Sequence, residues 1–279
     1  MMFDCHTHLF GPGQFGGATL AAAKRAWGTD TELLVTPEKH WEQFGQLDGA
    51  IVLAFDAPAT GINVPNEYVA EYVAQHPGKL FGFASVDPNR ADAPARLERA
   101  VRELNLRGLK LGPIYQNFYP DDRRHGELYA KAEQLGIPVL WHQGTSFVPE
   151  GYLDASRPAA LDPIAREFPR LKMVIAHMGH PWIDECIAVV RKNPNLYMDM
   201  SALGSRPWQF YNALVSAMEY GVTHKLLFGS DYPFFTTEQM TDALRGINRF
   251  TEGTSLPRIP EEIIESIIHR NTPELLGLV

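Results

Sequence analysis

The stretch Phe3–Phe10, FDCHTHLF, sets two histidines two residues apart in a run that favours an extended chain. Side chains of a β-strand alternate between its faces, so His6 and His8 point the same way with Asp4 below them. Cys5, Thr7 and Leu9 point to the other side, and Cys5 reads as a small hydrophobe packed outward. Two imidazoles aimed at one point suit a metal ion, because neutral imidazole nitrogens are common ligands. The same spacing also fits two ordinary polar side chains at a strand end. Further ligands elsewhere in the chain would decide between these readings.

Seven more short β-rich runs follow. They are GAIVLAF (Gly49–Phe55), LFGFASVD (Leu80–Asp87), RGLKLGP (Arg107–Pro113), IPVLWHQG (Ile137–Gly144), KMVIAHMG (Lys172–Gly179), LYMDMSA (Leu196–Ala202) and KLLFGSDYPF (Lys225–Phe234). Nearly continuous apolar runs fit parallel strands covered on both faces. Between them the spacing predicts helices over 36–44, 66–75, 93–104, 127–134, 184–191, 207–220, 239–250 and 260–268. Thr36-Pro37 supplies a cap followed by proline at the first helical position, and Gly136 supplies a C-terminal stop. Strand–helix alternation of this kind predicts an α/β fold, a distorted (β/α)8 TIM barrel in a single domain spanning 1–279. A doubly wound open sheet is the alternative, but no G-x-G-x-x-G follows the first strand. The longest break, 11–30, is Gly-rich and then weakly helical; it reads either as a lid loop or as a surface insertion.

The chain has 279 residues, 45% hydrophobic and 21% charged, with a formal charge of −8. That size can bury a large core without disulfides. Net negative charge argues against general binding to nucleic acid or a membrane surface. Two distant cysteines, no secretion signal and no apolar run of ~20 residues point to the cytoplasm. A homodimer is the base-rate expectation for assembly, with a small molecule as substrate.

In (β/α)8 barrels the chemistry gathers at the C-terminal ends of the strands. His142, His177 and Asp231 stand there, each after an apolar run: VLWH, MVIAH and LLFGSD. Four histidines and an aspartate at four strand tops are hard to read as isolated core polar residues.

Together with RGLKLGP, FYPDDRRHGELYAKAEQLGIPVLWHQG, FPRLKMVIAHMGHPW, NLYMDMSA, LLFGSDYPF and RNTPELLGL, the opening FDCHTHLF resembles the amidohydrolase superfamily. The resemblance is to its amidohydrolase-2 branch, related to aminocarboxymuconate-semialdehyde decarboxylase. It runs through nearly the whole chain and is weakest over 11–30. It implies one divalent metal, zinc or manganese, held by His6, His8, His142 and Asp231. It also implies that His177 lies beside the metal as an acid/base or electrophilic group, with Asp231 doubling as a base. A nitrogen/oxygen ligand set with an open position suits a catalytic rather than a structural site.

Lys110 lies in the fourth strand, where binuclear relatives carry a carbamylated lysine bridging two metals. Here it reads as a cation lining the pocket or a salt-bridged barrel residue. His180 could touch substrate or stabilise its loop. Arg206 could anchor a carboxylate or be solvated. Tyr115, Gln116, Phe118 and Trp182 could shape an aromatic pocket or serve packing. Asp121 and Asp122 read as a helix cap, and His40, His76, His125, His224 and His269 as surface residues.

These residues serve two reactions. The first reading is a metal-dependent hydrolase acting on an ester, lactone or amide through water activated by the metal. The compact length leans that way. The alternative is non-oxidative decarboxylation of an aromatic or unsaturated carboxylic acid, which a cluster of Arg206 and Lys110 near the metal would favour. A lactonase working without metal and a barrel that binds without turnover complete the set.

Overall fold

The computed structural model describes residues 1–28 and 33–279. Eight parallel strands form one sheet: β1 (Phe3–His8), β2 (Gly49–Leu53), β3 (Leu80–Ser85), β4 (Gly108–Leu111), β5 (Val139–Trp141), β6 (Met173–Ile175), β7 (Leu196–Asp199) and β8 (Leu226–Leu227). Each pairs with the next in sequence order. The seam between β8 and β1 is joined by three backbone hydrogen bonds, Cys5 N to Phe228 O (3.0 Å), Asp231 N to His6 O (2.8 Å) and His8 N to Tyr232 O (2.9 Å). The sheet is a nearly closed (β/α)8 barrel in a single domain. No described helix is long and apolar enough to cross a membrane.

Two apolar layers hold it. The larger lies between the strands' outward faces (Val52, Leu109, Trp141, Ile175) and the helices, for example Leu97 and Ile187. The smaller fills the barrel interior with Phe3, Ile51, Phe83, Leu140, Val174 and Leu227, joined by Leu276 and Leu278 from the C-terminus. Burial on both faces explains why the strands read as continuous apolar runs. Thr36 caps the helix Pro37–Phe44 through the Lys39 N–H, and Gly136 closes Gly126–Leu135 with φ 69°.

Three expectations need correction. First, alternation along β1 is broken. The register to β2 steps from Asp4↔Ala50 to Thr7↔Val52, three residues against two. This bulge inserts an extra residue. Cys5 therefore joins the interior cluster under the site instead of packing outward. Asp4, meanwhile, binds Thr237 at the foot of helix Thr237–Arg245 rather than sharing a face with His6 and His8. Second, the helix Leu161–Glu167 and the hairpin Phe55–Ala57/Ile62–Val64 were not foreseen; both are short, and three-residue strands carry little periodicity. Third, His40 and His125 are buried, not at the surface.

The segment after β1 is built against that hairpin. Asn63 N donates to Gln14 O (2.9 Å), Gly16 N donates to Gly61 O (2.8 Å), and the helix Gly17–Trp27 follows. Residues 29 and 30 of the stretch read as a lid lie outside the described residues.

Candidate active site

At the C-terminal mouth of the barrel lies a cavity of about 290 Å³. His6, His8, Lys110, His142, His177 and Asp231 line its polar part. All six are buried. The strand ends deliver them by leaving regular geometry. His177 follows β6 in a left-handed conformation (φ 57°, ψ 27°), and Asp231 follows β8 with φ 67°. For a non-glycine residue each such conformation costs on the order of 1–3 kcal/mol, tolerated where the surroundings fix it.

His6, His8 and Asp231 offer ligand atoms within 4.8 Å of one another. Asp231 Oδ1 lies 3.3 Å from His8 Nε2 and 3.5 Å from His6 Nε2. His142 stands next to this trio rather than in it, its Nδ1 3.3 Å from His177 Nε2.

Hydrogen-bond partners assign the tautomers. His6 Nδ1 lies 3.0 Å from Asp199 Oδ2 and must donate to that carboxylate, leaving a lone pair on Nε2. His142 Nε2 faces the Thr145 carbonyl (3.2 Å), so its Nδ1 carries the lone pair. His177 Nδ1 faces the carbonyl and hydroxyl of Ser201 (3.1 and 2.8 Å), so its Nε2 does as well. Two lone pairs thus confront each other between His142 and His177, and His8 Nδ1 is buried with no partner among the described residues. Against these acceptors stands the ammonium of Lys110, 3.3 Å from His6 Nε2. A converging set of imidazole lone pairs and one carboxylate fits a divalent cation of the zinc or manganese kind.

The electrostatics agree. Burial lowers the pKa of His6, and lowers those of His8 and His142 well below the usual histidine value. Burial brings His177 to about 4, so these imidazoles are neutral at pH 7. Burial also raises Asp231 and lowers Lys110 to about 8.

A second grouping, His6–His177–Asp199, also has metal-like spacing. Asp199 is already saturated, however. Besides His6 it accepts the backbone N–H of His177 and of Ser201 (both 3.0 Å) and the Ser201 hydroxyl. It acts as an orienting carboxylate behind His6, a common arrangement at metal sites. Burial opposes its ionisation, yet the charges that His6 and His177 take up on acidification, together with these hydrogen bonds, hold it below the ordinary carboxylate range.

Of the other residues singled out from the sequence, Tyr115, His180 and Arg206 line the cavity. Tyr115 packs edge-on to His142 (4.8 Å), and His180 Nε2 meets Gln209 Oε1 at 2.6 Å. Phe118 and Trp182 do not line it. Phe118 lies against His125 and Trp141 on the outer side of β5, and Trp182 lies beneath the Arg157 guanidinium. Gln116 ties loops together, accepting from Gly112 N and donating to the carbonyls of Asp56 and Val86. Asp122 caps a short turn through Arg124 N. Asp199 and Ser201 escaped the sequence reading, although Asp199 shows the same apolar-run-then-aspartate signal as Asp231.

A (β/α)8 barrel with His and Asp side chains converging at its strand tops is the architecture of a metal-assisted enzyme. The chain matches the amidohydrolase-2 family over residues 3–278 and belongs to that family. It is 24% identical over 246 residues to a 2-amino-3-carboxymuconate-6-semialdehyde decarboxylase of Dictyostelium discoideum, spanning 76% of this chain and 65% of that one. It is 22% identical over 218 residues to a γ-resorcylate decarboxylase of Polaromonas sp., spanning 63% and 67%. Among solved structures, an uncharacterised TIM-barrel protein of Bordetella bronchiseptica has TM-score 0.74 at 23% identity, covering 99% of this chain and 98% of that one. A probable 2-pyrone-4,6-dicarboxylic acid hydrolase of Acinetobacter baumannii has TM-score 0.69 at 16%, covering 99% of each. A dihydroxybenzoic acid decarboxylase of Polaromonas sp., with bound manganese and the inhibitor 2-nitroresorcinol, has TM-score 0.63 at 19%, covering 99% and 97%.

Proposed function

We propose that the chain is a metal-dependent, non-oxidative decarboxylase of an aromatic or otherwise conjugated carboxylic acid. The observation that carries this is the presence of two cations, Lys110 and Arg206, in the cavity that holds the His6–His8–Asp231 trio. A neutral ester or amide has no carboxylate for them to bind, whereas an acid, or a lactone that carries carboxylates, does. Hydrolysis of a neutral ester or amide, part of the first reading of the sequence, yields on this ground, and decarboxylation is preferred to hydrolysis of a carboxylated lactone because both curated relatives carry decarboxylase names.

In this reading His6, His8 and Asp231 hold the ion, with His142 beside them, and either zinc or manganese suits the set. When bound, the ion supplies a Lewis acid that polarises substrate oxygens. Lys110 faces the reacting carboxylate. The ring or conjugated system lies among the aromatic side chains, which exclude water. His177, anchored at Nδ1 by Ser201, presents Nε2 to the cavity, and it and Asp231 are the groups placed to move a proton. Asp231, whose carboxyl pKa is raised by burial, would take that proton from solvent and pass it to the carbon bearing the carboxylate. The bond to the carboxyl carbon then breaks, its electron pair stays with the ring, and carbon dioxide leaves.

The test is turnover in D2O of aromatic and conjugated acids, beside a panel of lactones, esters and amides. The reading expects one deuterium at the carbon that lost its carboxylate. Turnover confined to the lactones, esters or amides, with no carbon dioxide, would reinstate hydrolysis.

A further inference from the structure

We propose that Thr7 and His40 form a latch behind β1 that holds His6 and His8 in the spacing at which they meet Asp231. Both are positioning residues: neither lines the cavity, and each acts through the strand ends that carry the ligands. This rests on the reading of His6, His8 and Asp231 as metal ligands and adds what sets their geometry.

The latch starts at the bulge in β1. The register to β2 steps from Asp4↔Ala50 to Thr7↔Val52, so Ile51 is the single β2 residue set against Cys5 and His6. The Thr7 hydroxyl donates to the Ile51 carbonyl at 2.6 Å and pins β1 where the extra residue enters. That carbonyl can only accept, which fixes the direction of every bond behind it. Thr7 Oγ1 therefore accepts from His40 Nε2–H (2.8 Å), and His40 Nδ1, left with the lone pair, accepts from the Tyr72 hydroxyl (2.8 Å). Burial brings His40 to about 3, so its ring is neutral and offers the one donor and one acceptor that this series requires. Thr7, His40 and Tyr72 are each at most 2% exposed. A buried polar series with every member satisfied holds one geometry, because a displacement strands a donor out of reach of water.

His40 also touches the other strand end that carries a ligand. Its ring lies edge-on to Tyr232 (6.1 Å, 83°), the residue after Asp231. Phe44, one turn along the helix Pro37–Phe44, stacks on His40 (4.3 Å) and meets Tyr232 edge-on (5.3 Å). Thr7 and Tyr232 are bridged across the seam, where His8 N donates to Tyr232 O (2.9 Å) and Asp231 N to His6 O (2.8 Å). One helix thus grips both the residue between the two histidines and the residue beside the aspartate. The grip matters here because β8 ends at Leu227, short of Asp231, and a one-residue slip of β1 would turn both histidines away.

The experiment measures zinc and manganese affinity by chelator competition, with melting of the metal-free protein, for wild type, Thr7→Val, Thr7→Ser, His40→Phe and Tyr129→Phe. Tyr129 donates a buried hydrogen bond to the Pro120 carbonyl (2.9 Å), away from β1, and serves as the comparison for stability alone. Thr7→Val and His40→Phe should weaken metal binding by about tenfold or more, the usual effect of losing support behind a ligand. Thr7→Ser keeps the hydroxyl and should recover most of the affinity. Tyr129→Phe should melt lower and bind metal as wild type does. Thr7→Val with a lowered melt and wild-type metal affinity would reduce the latch to packing and overturn the proposal. So would Thr7→Ser binding as weakly as Thr7→Val; these two variants decide the matter if His40→Phe does not fold. No metal binding by wild type would overturn the proposal and the metal-dependent reading together. Carbon dioxide release is recorded separately: metal affinity that depends on Thr7, without release, would sink the decarboxylase reading and leave the latch standing.

Discussion

Replacing Asp199 by asparagine leaves the shape of the site intact and reverses one hydrogen bond. Asp199 accepts from His6 Nδ1 (3.0 Å), from the backbone of His177 and Ser201 (3.0 Å each) and from the Ser201 hydroxyl. Three of these donors converge on Oδ1. An asparagine oxygen would stay there, turning its NH2 toward His6 Nδ1–H. Two donors would then face each other. His6 relieves this by carrying its proton on Nε2, the atom 3.5 Å from Asp231 Oδ1, and so loses the lone pair a metal needs. Changes of this kind behind a ligand weaken metal affinity by roughly 10–100-fold, which is about 1.4–2.8 kcal/mol. Stability should fall by about 1.5–3 kcal/mol, the worth of a hydrogen bond to a charged group. The pH dependence has a definite sign. A carboxyl held below its ordinary value stabilises the fold above the unfolded pKa of about 3.9 and ceases to do so as pH falls through the folded pKa. Wild type should therefore lose stability on acidification below about pH 4, and Asp199→Asn should lack that component. Chelator competition for zinc and manganese, with thermal melts from pH 3 to 8, measures both. An Asp199→Asn protein with wild-type metal affinity would refute the tautomer argument.

Asp4→Asn should act with the opposite sign. Burial raises the Asp4 carboxyl to about 7, so its stabilising effect is complete below the unfolded value near 3.9 and is lost as pH rises toward 7. The variant should melt higher than wild type at pH 8 and no higher at pH 5; a pH-independent difference would contradict the assignment. His177→Gln should lower kcat by roughly 100-fold or more while metal content stays at the wild-type level, and unchanged turnover would remove His177 from the chemistry. Gly144 has φ 151°, and an added Cβ would lie 2.7 Å from the His180 carbonyl oxygen. Gly144→Ala should destabilise by about 1–3 kcal/mol, read by denaturant unfolding; a neutral result would mean that the loop yields freely.

The eight strands and the strand-top positions were legible because burial on both faces writes apolar runs into the sequence, and the polar residue ending each run stands out. His6, His142, His177 and Asp231 were found in this way. Lys110 was found through its place in the fourth strand. The bulge in β1 was not legible, since alternation is the rule and FDCHTHLF contains nothing that breaks it. Cys5 and Asp4 were accordingly turned the wrong way. Aromatic side chains such as Phe118 and Trp182 follow strands just as Tyr115 does, and only the backbone path separates cavity wall from outer core. His40 looked like a surface helix residue. Its Nε2 pairs with Thr7 Oγ1 and its Nδ1 with Tyr72 OH (2.8 Å each), contacts distant in sequence and invisible to local pattern.

The most direct test of the account is carbon dioxide released per substrate consumed, compared between metal-stripped and zinc- or manganese-reconstituted enzyme on conjugated carboxylic acids. The account predicts one carbon dioxide per substrate and activity that appears only with metal. Equal turnover without metal, or consumption of a lactone or ester with no carbon dioxide, would contradict it.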